Sequence, residues 1–356
     1  MLKHKWLGSL LILSLIVILL SGCGLYGPEE AMEIDPPPAS LEIEDLNPTI
    51  EVTNTEGGNQ TSSTSTENAS EMVTLTIYYF DQQGDVVPLP MAIPKVEGIG
   101  KEVLRFMTMG GPAEATLPEG FRPVLPAGTV SDMNVKFDQK LAIVDFSKEF
   151  LSYQAANSAE EKKILDAITW TLTEFPTVEQ VEIRVNGYPL EVMPTWNTPV
   201  VGPLSRLDGI NLELANNIHI GQTTPVTLYF QKGTEAGSYL IPVTRLIPQT
   251  EDIAKATLEQ LILGPKQDSR LIPALLPTTK VLDVSYQDDI LVADFDKELL
   301  GFNDAVSQEI IEMIVLSLTE NTEASSVQIM VNGQTEQSEA LAKPIFRPNN
   351  INKSAY

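Results

Sequence analysis

Cysteine is almost absent from this sequence: Cys23 is the only one in 356 residues, so no disulfide can form within the chain. Histidine is nearly as scarce. Of the two, His4 lies at the extreme N-terminus and His219 stands alone, so a Ser-His-Asp triad would have to be built on that single residue. Zinc centres need several His or Cys donors, which are lacking, and no Gly-rich phosphate loop followed by Lys-Ser/Thr is present. The chain offers no metal or cofactor motif, and none is expected. Positive charge is in short supply too, with 23 Lys+Arg against 48 Asp+Glu and a formal net charge of −25. Such a chain is repelled by nucleic-acid phosphates and gains nothing from anionic lipid headgroups.

Long apolar runs are missing as well. The longest, residues 10–20, follows Lys3, His4 and Lys5 and ends at Ser21-Gly22. A run this short is the core of a signal peptide rather than a spanning helix. Leu20-Ser21-Gly22-Cys23 resembles the bacterial lipobox, in which the cysteine thiol is acylated and the chain is cut ahead of it. Residues 1–22 are therefore expected to be a signal, and Cys23 the lipidation site that holds the protein to a membrane. Residues 23–72 carry Pro36-Pro37-Pro38 and a Gly/Ser/Thr-rich stretch with few recurring apolar positions, the composition of a disordered tether. Its r.m.s. reach would be roughly 35–45 Å.

What the remainder does have is an internal repeat. Asp145-Phe146-Ser147-Lys148-Glu149-Phe150-Leu151 returns as Asp294-Phe295-Asp296-Lys297-Glu298-Leu299-Leu300. Val181-Glu182-Ile183-Arg184-Val185-Asn186-Gly187 returns as Val327-Gln328-Ile329-Met330-Val331-Asn332-Gly333. Leu172-Thr173-Glu174 matches Leu318-Thr319-Glu320, and Thr76-Ile77-Tyr78-Tyr79 matches Thr227-Leu228-Tyr229-Phe230. Past the last strand, Arg206, Ile210 and Asn211 correspond to Arg347, Ile351 and Asn352. The reading is a first domain over 73–211, a linker over 212–223, a second domain over 224–352 and a tail over 353–356. Each copy holds a full set of elements and is expected to fold alone.

Periodicity and punctuation give the same elements in both copies. Strands are expected at 73–80 and 225–231, then helices at about 96–109 and 250–263, closed by Gly110-Gly111-Pro112 and Gly264-Pro265. Hairpins follow near 130–146 and 281–295. The second helices run from Ser158, with Glu161 as a capping box, to Phe175, and from Asp304 to Thr319. A last strand ends in each copy at an Asn-Gly turn. The sum is α+β: two copies of a βαββαβ domain, each with two helices on one face of a small sheet. After Gly333 the segment 334–339 is polar throughout, without the alternation that a return strand would need.

These residues carry a family resemblance. A lipobox, a Thr/Ser-rich tether and two copies of Val-Asp-Phe, Leu-Thr-Glu and Val-x-Ile-x-Val-Asn-Gly resemble the GerM family of sporulation and germination lipoproteins with tandem GerMN domains. GerMN domains are similar to the ring-building modules of secretion and sporulation channels. The resemblance implies a non-enzymatic lipoprotein in assembly or localisation of the channel joining mother cell and forespore. It places the protein on the outer side of the mother-cell membrane, facing the intermembrane space, with an effect on germination. Implied partners are stage II sporulation protein Q and the stage III AA–AH proteins.

The residues themselves leave a second class open, a spore-cortex or cell-wall protein that binds or cuts glycan through carboxylates. Asp145 and Asp294 are the repeated candidates, although an Asp at a strand end is more often a turn cap. Asp81 and Asp85 suggest calcium without matching its spacing. A pocket with two carboxylates and facing aromatics would favour the glycan class. For partner binding, Trp170 and Leu316 occupy equivalent positions opposite the apolar stripes of the second helices, and are expected to contact another chain or the neighbouring domain.

Overall fold

The computed structural model describes residues 71–353 apart from 215–220, 236, 302–304 and 336–338. Cys23, the signal and the tether up to residue 70 lie outside the described residues, and Met72, placed in the tether by composition, already belongs to the first strand. The described residues belong to one compact unit, residues 67–356.

Each copy opens on a hairpin. In the first copy β1 (Met72–Phe80) pairs antiparallel with β2 (Val86–Pro94), and helix α1 (Ile99–Phe106) follows. Next come β3 (Ser131–Lys136) and β4 (Leu141–Phe146), helix α2 (Ser158–Leu172), and β5 (Gln180–Val185) with the short return β6 (Tyr188–Pro189). A small hairpin, β7 (Val192–Met193) and β8 (Thr198–Pro199), completes the copy, and β9 (Glu213–Leu214) leads out of it. The second copy repeats the order. Hairpin β10 (Thr223–Thr234) and β11 (Gly237–Pro248) precedes α3 (Ile253–Leu263), β12 (Val281–Gln287) and β13 (Ile290–Phe295). Helix α4 (Gln308–Asn321), β14 (Ser326–Val331) and β15 (Ile345–Phe346) close it.

The α+β tandem architecture is as the sequence indicates, with one long strand, β2 or β11, added to each copy beside several two-residue strands. β2 and β11 were not legible because prolines interrupt them. Pro88 and Pro90 face Tyr78 and Thr76 in the register, and Pro242 faces Tyr229. Alternating positions direct their missing N–H to the outer edge of the hairpin, where no ladder bond to β1 or β10 is lost. The two hairpins stand apart from the four-stranded sheets, whose orders are β3-β4-β5-β6 and β12-β13-β14-β15. In each sheet the strands joined through the second helix are parallel, and the outer pairs are antiparallel.

The Asn-Gly turns behave as their chemistry requires. Asn186 and Asn332 have φ of 51° and 50°, and the glycines after them 83° and 73°. The return strands differ as the sequence suggests: β6 pairs with β5 at two positions, whereas Val331 meets Gln334 in a single bridge. Gly264 caps α3 with φ 78°. Helix α2 begins one residue earlier than its capping-box pattern implies. Asn157 is the cap, accepting from the Glu160 N–H, and Glu161 turns inward.

The outer edge of each first strand is closed by its second helix. The Tyr78 N–H donates to Thr171 Oγ1 at 3.0 Å, and the Tyr229 N–H donates to the equivalent Ser317 Oγ at 2.9 Å. An exposed edge is a template for unwanted pairing, so a hydroxyl-bearing helix laid along it protects the sheet. The apolar core does not divide cleanly at the linker. Tyr239 and Ile241 of β11 pack into the cluster formed by the first copy.

Candidate functional site at the junction of the two repeats

The second helices show what the segment after each last strand does. Trp170 and Leu316 are both completely buried. The Trp170 Nε1–H donates to the Gly209 carbonyl, the Arg206 guanidinium lies 4.4 Å over its ring, and Tyr78 meets it edge-on. Leu316 lies under its own tail, where Arg347 donates to its carbonyl oxygen. Neither side chain presents a surface to another chain. The assignment of Trp170 and Leu316 as an exposed partner face is corrected on this point: each helix is buried on two sides, by the strands and by the returning tail. Gly209 makes the close approach possible. It has φ +79°, and a Cβ there would stand 3.0 Å from the Thr244 side chain.

Those tails carry the repeated Arg and Asn onward to the other copy. Asn211 Oδ1 accepts from the Val86 N–H, and its Nδ2 donates to the carbonyls of Val86 and Pro242. Asn352 Oδ1 accepts from the Leu240 N–H, and its Nδ2 donates to the carbonyls of Leu240 and Pro88. Pro88 and Pro242 occupy equivalent register positions in the two hairpins, opposite Tyr78 and Tyr229. The two asparagines therefore perform one operation related by an approximate two-fold axis between β2 and β11. They satisfy backbone groups at edges where proline has no N–H to offer. Both have positive φ, 46° and 63°, which asparagine tolerates better than most residues.

Beside the axis lies a charged network. Arg206 donates to Glu174 of its own copy and to both oxygens of Glu320, at 2.9 and 3.1 Å. Arg347 reaches Glu320 and Tyr229, and the two tyrosines close the network through Tyr78 OH to Glu174 and Tyr229 OH to Glu320. Burial pushes the Glu320 carboxyl up, but the two guanidinium groups outweigh it and hold the pKa at about 2.

At the far side, Lys232 extends from β10 to Asp81 at 2.6 Å and Asp85 at 2.7 Å, and is itself buried. Asp81 also accepts from Tyr239 OH at 2.8 Å and, through its other oxygen, from the N–H groups of Gln83 and Asp85. Burial raises the Asp85 carboxyl, but Lys163 and Lys232 bring it below its ordinary value. The two acids considered for calcium are thus neutralised by lysines.

The repeated Asp145 and Asp294 have the same task in both copies. Asp145 Oδ1 accepts from the Gly187 N–H at 2.8 Å and Asp294 Oδ1 from the Gly333 N–H at 2.9 Å. Each clamps the Asn-Gly turn of the parallel neighbour strand. Among the described residues, the first copy has one device the second lacks. Glu161, fully buried, accepts from the N–H groups of Thr195, Trp196 and Thr198 and from the hydroxyls of Thr198 and Tyr153, which fixes the β7–β8 hairpin. Burial raises its carboxyl, and these donors more than offset that, so its pKa falls below the usual carboxylate value.

A cavity of about 650 Å³ opens where the two copies meet. It is lined by Asp81, Glu119 and Glu235 together with Phe121 and Tyr239, whose rings meet edge-on at 5.1 Å.

A model of the Germane family, described as sporulation and spore germination, matches residues 76–191 and 227–337. The chain belongs to the Germane family. The spore germination protein GerM of Bacillus subtilis strain 168 is 35% identical over 353 residues, covering 95% of each chain. The solved tandem GerMN domains of GerM from Bacillus subtilis superpose with a TM-score of 0.74 at 36% identity, over 79% of this chain and 99% of that one. The tandem βα architecture is therefore the GerMN architecture. Both family matches stop short of Arg206, Asn211, Arg347 and Asn352, the residues that build the joint. Sequence reasoning had paired these four across the copies without reading what they hold together. The complementary charges at Asp81 and Lys232 are not legible to it, their one signal being that the two residues occupy equivalent positions at the ends of the matched strands β1 and β10.

Proposed function

We propose that this chain is a non-enzymatic, membrane-anchored lipoprotein acting in assembly or localisation of the mother cell–forespore channel during sporulation, with an effect on germination. The observation that carries the reading is near-full-length similarity to GerM, a spore germination protein, in a chain built as the same tandem. The repeated polar residues support it. Asp145 and Asp294 hold turns, Glu320, Asn211 and Asn352 join the copies, and Glu174 anchors the Arg206 that reaches across; a scaffold needs such a joint to keep its two domains in fixed relation.

On this proposal the signal is removed after Gly22, acyl chains on Cys23 hold the protein on the outer face of the mother-cell membrane, and residues 23–72 let the tandem reach into the intermembrane space. Its partners are stage II sporulation protein Q and the stage III AA–AH proteins. Crosslinking and recovery from sporulating cells, with a wild-type chain and a Cys23→Ala variant, tests the reading. Recovery of channel proteins by the wild type, reduced in the variant together with fatty-acid labelling, is the expected result. Equal labelling of both chains, or no channel protein recovered by either, contradicts it.

One observation favours the second reading, a protein that binds cell-wall glycan. The cavity between the copies combines the carboxylates Glu119 and Glu235 with Phe121 and Tyr239. Co-sedimentation with purified cortex glycan, compared with a Glu119→Gln/Glu235→Gln variant, decides it. Glycan retained by the wild type and released by the variant supports this reading.

A further inference from the structure

Two copies of one domain joined about an approximate two-fold axis form a surface that could equally join two first copies. Most of the joint does not distinguish the cases. The asparagine contacts are the same on both sides, and in a pair of first copies Arg206 would find Glu174 where it now finds Glu320. Asp81 and Lys232 are different. They occupy equivalent positions in the two repeats, Asp81 just past the end of β1 and Lys232 near the end of β10, and they meet each other across the axis. By the hairpin register, Asp85 and Tyr239 are likewise equivalent, and each lies beside the opposite member of the first pair. Two first copies would bring together the Asp81 and Asp85 carboxylates of both, four acids with only the two Lys163 ammonium groups beside Asp85 and neither Lys232 nor Tyr239 to donate. Two second copies would place Lys232 against Lys232 with neither Asp81 nor Asp85 to accept from them. Like charges taken out of water reject the pairing, which is how an interface excludes a wrong partner.

We propose that Asp81, Asp85 and Lys232 make the β2 edge a partner-selecting surface: it accepts a repeat bearing a cation at the Lys232 position and refuses a copy of itself. The occupant it fits from outside its own chain is the second repeat of another molecule of this protein, so two chains joined this way exchange repeats reciprocally.

Two variants leave the Asp81 turn intact and invert the charges. Lys232→Glu faces Asp81 and Asp85 with a third acid, and Asp85→Lys faces Lys232 and Lys163 with a third cation. In chains spanning residues 24–356, each single variant is expected to lose at least about 5 °C in melting temperature. The Asp85→Lys/Lys232→Glu double variant is expected to recover at least half of the summed loss. The two single variants, unfolded together and co-refolded, should form a dimer of twice the monomer mass by light scattering, melting above either alone. If a single variant does not fold, co-refolding remains decisive, because the complementary chain should rescue it as soluble dimer. The proposal is overturned if the losses in the double variant simply add. It is equally overturned if the co-refolded mixture stays monomeric, or insoluble where the single variants are.

Discussion

The two repeats solve the same folding problem with different amounts of reinforcement. In both, a strand-end aspartate clamps an Asn-Gly turn and a helix hydroxyl closes the edge of the first strand. An asparagine at positive φ stitches each tail to the opposite hairpin. The first repeat adds the Glu161 cage and the β7–β8 hairpin, where the second has Ser307 capping α4 and a single bridge after Gly333. The charges divide between the repeats as well: Glu320, in the second, gathers guanidinium groups from both copies, whereas Glu174 takes only Arg206 of its own. What the copies share maintains the fold and the symmetric part of the joint. What they do not share gives each copy a distinct place in the tandem.

The sharpest way to break the symmetry is at those two glutamates. Glu320→Ala removes the buried anion shared by two partly exposed arginines, a loss of about 3 kcal/mol. That corresponds to roughly 10 °C in a chain of this size. Glu174→Ala, at the more exposed position, should cost less than half as much by thermal melting. The pH dependence has a definite sign. Glu320 has its pKa depressed to about 2, so its contribution is complete above the unfolded value near 4.5 and is lost as pH falls through about 2. Acid titration of wild type should show this loss, and Glu320→Gln should flatten it.

Close behind comes the cage. Glu161→Ala leaves three N–H groups of the β7–β8 hairpin without their acceptor, at about 2–4 kcal/mol. Fluorescence of Trp196, whose Nε1–H donates to Ala155, should shift as the hairpin loosens. The corresponding Ser307→Ala removes only a helix cap, worth about 1 kcal/mol. If the two variants melt alike, the first repeat is not the more strongly reinforced.

A smaller change of opposite sign comes from Asp166. Its carboxyl is pushed up to about 7 by burial, which the neighbouring Lys162 only partly offsets, and its Oδ2 has no partner. A raised carboxyl contributes stability below its unfolded value near 4, and that stability is lost as pH climbs through about 7. Asp166→Asn should therefore stabilise the protein at pH 8 by about 1–3 kcal/mol and change little at pH 4. Effects of similar size are expected at the stitching asparagines. Asn211→Ala should cost about 1–3 kcal/mol and Asn352→Ala, which is less buried, about 1 kcal/mol, read by denaturant unfolding.

Much of this was legible in residues. Short identical stretches revealed the tandem, because a turn such as Asn186-Gly187 and its clamp Asp145 tolerate little variation. The matched Arg206/Arg347 and Asn211/Asn352 showed that the domain continues past its last strand. The proline-bearing β2 and β11 were not visible, since propensity counts a missing N–H as a defect and cannot see that it points away from the ladder. The rotation that put Trp170 and Leu316 opposite the core stripe was not enough to expose them, because a helical wheel shows nothing of a tail arriving some 35 residues later. The functions of Glu161 and Lys232 depend on partners 35 and 151 residues away, a separation no local pattern carries.

The central claim is that the repeats form one mechanical unit, joined by Asn211, Asn352, the Arg206–Glu320 pair and the Lys232 lock. Differential scanning calorimetry of residues 71–353 tests it most directly. The account predicts a single transition, with calorimetric and van't Hoff enthalpies equal, that splits in two when Arg206→Ala and Lys232→Ala are combined. Two transitions in the wild-type chain, each unmoved by those substitutions, would contradict it.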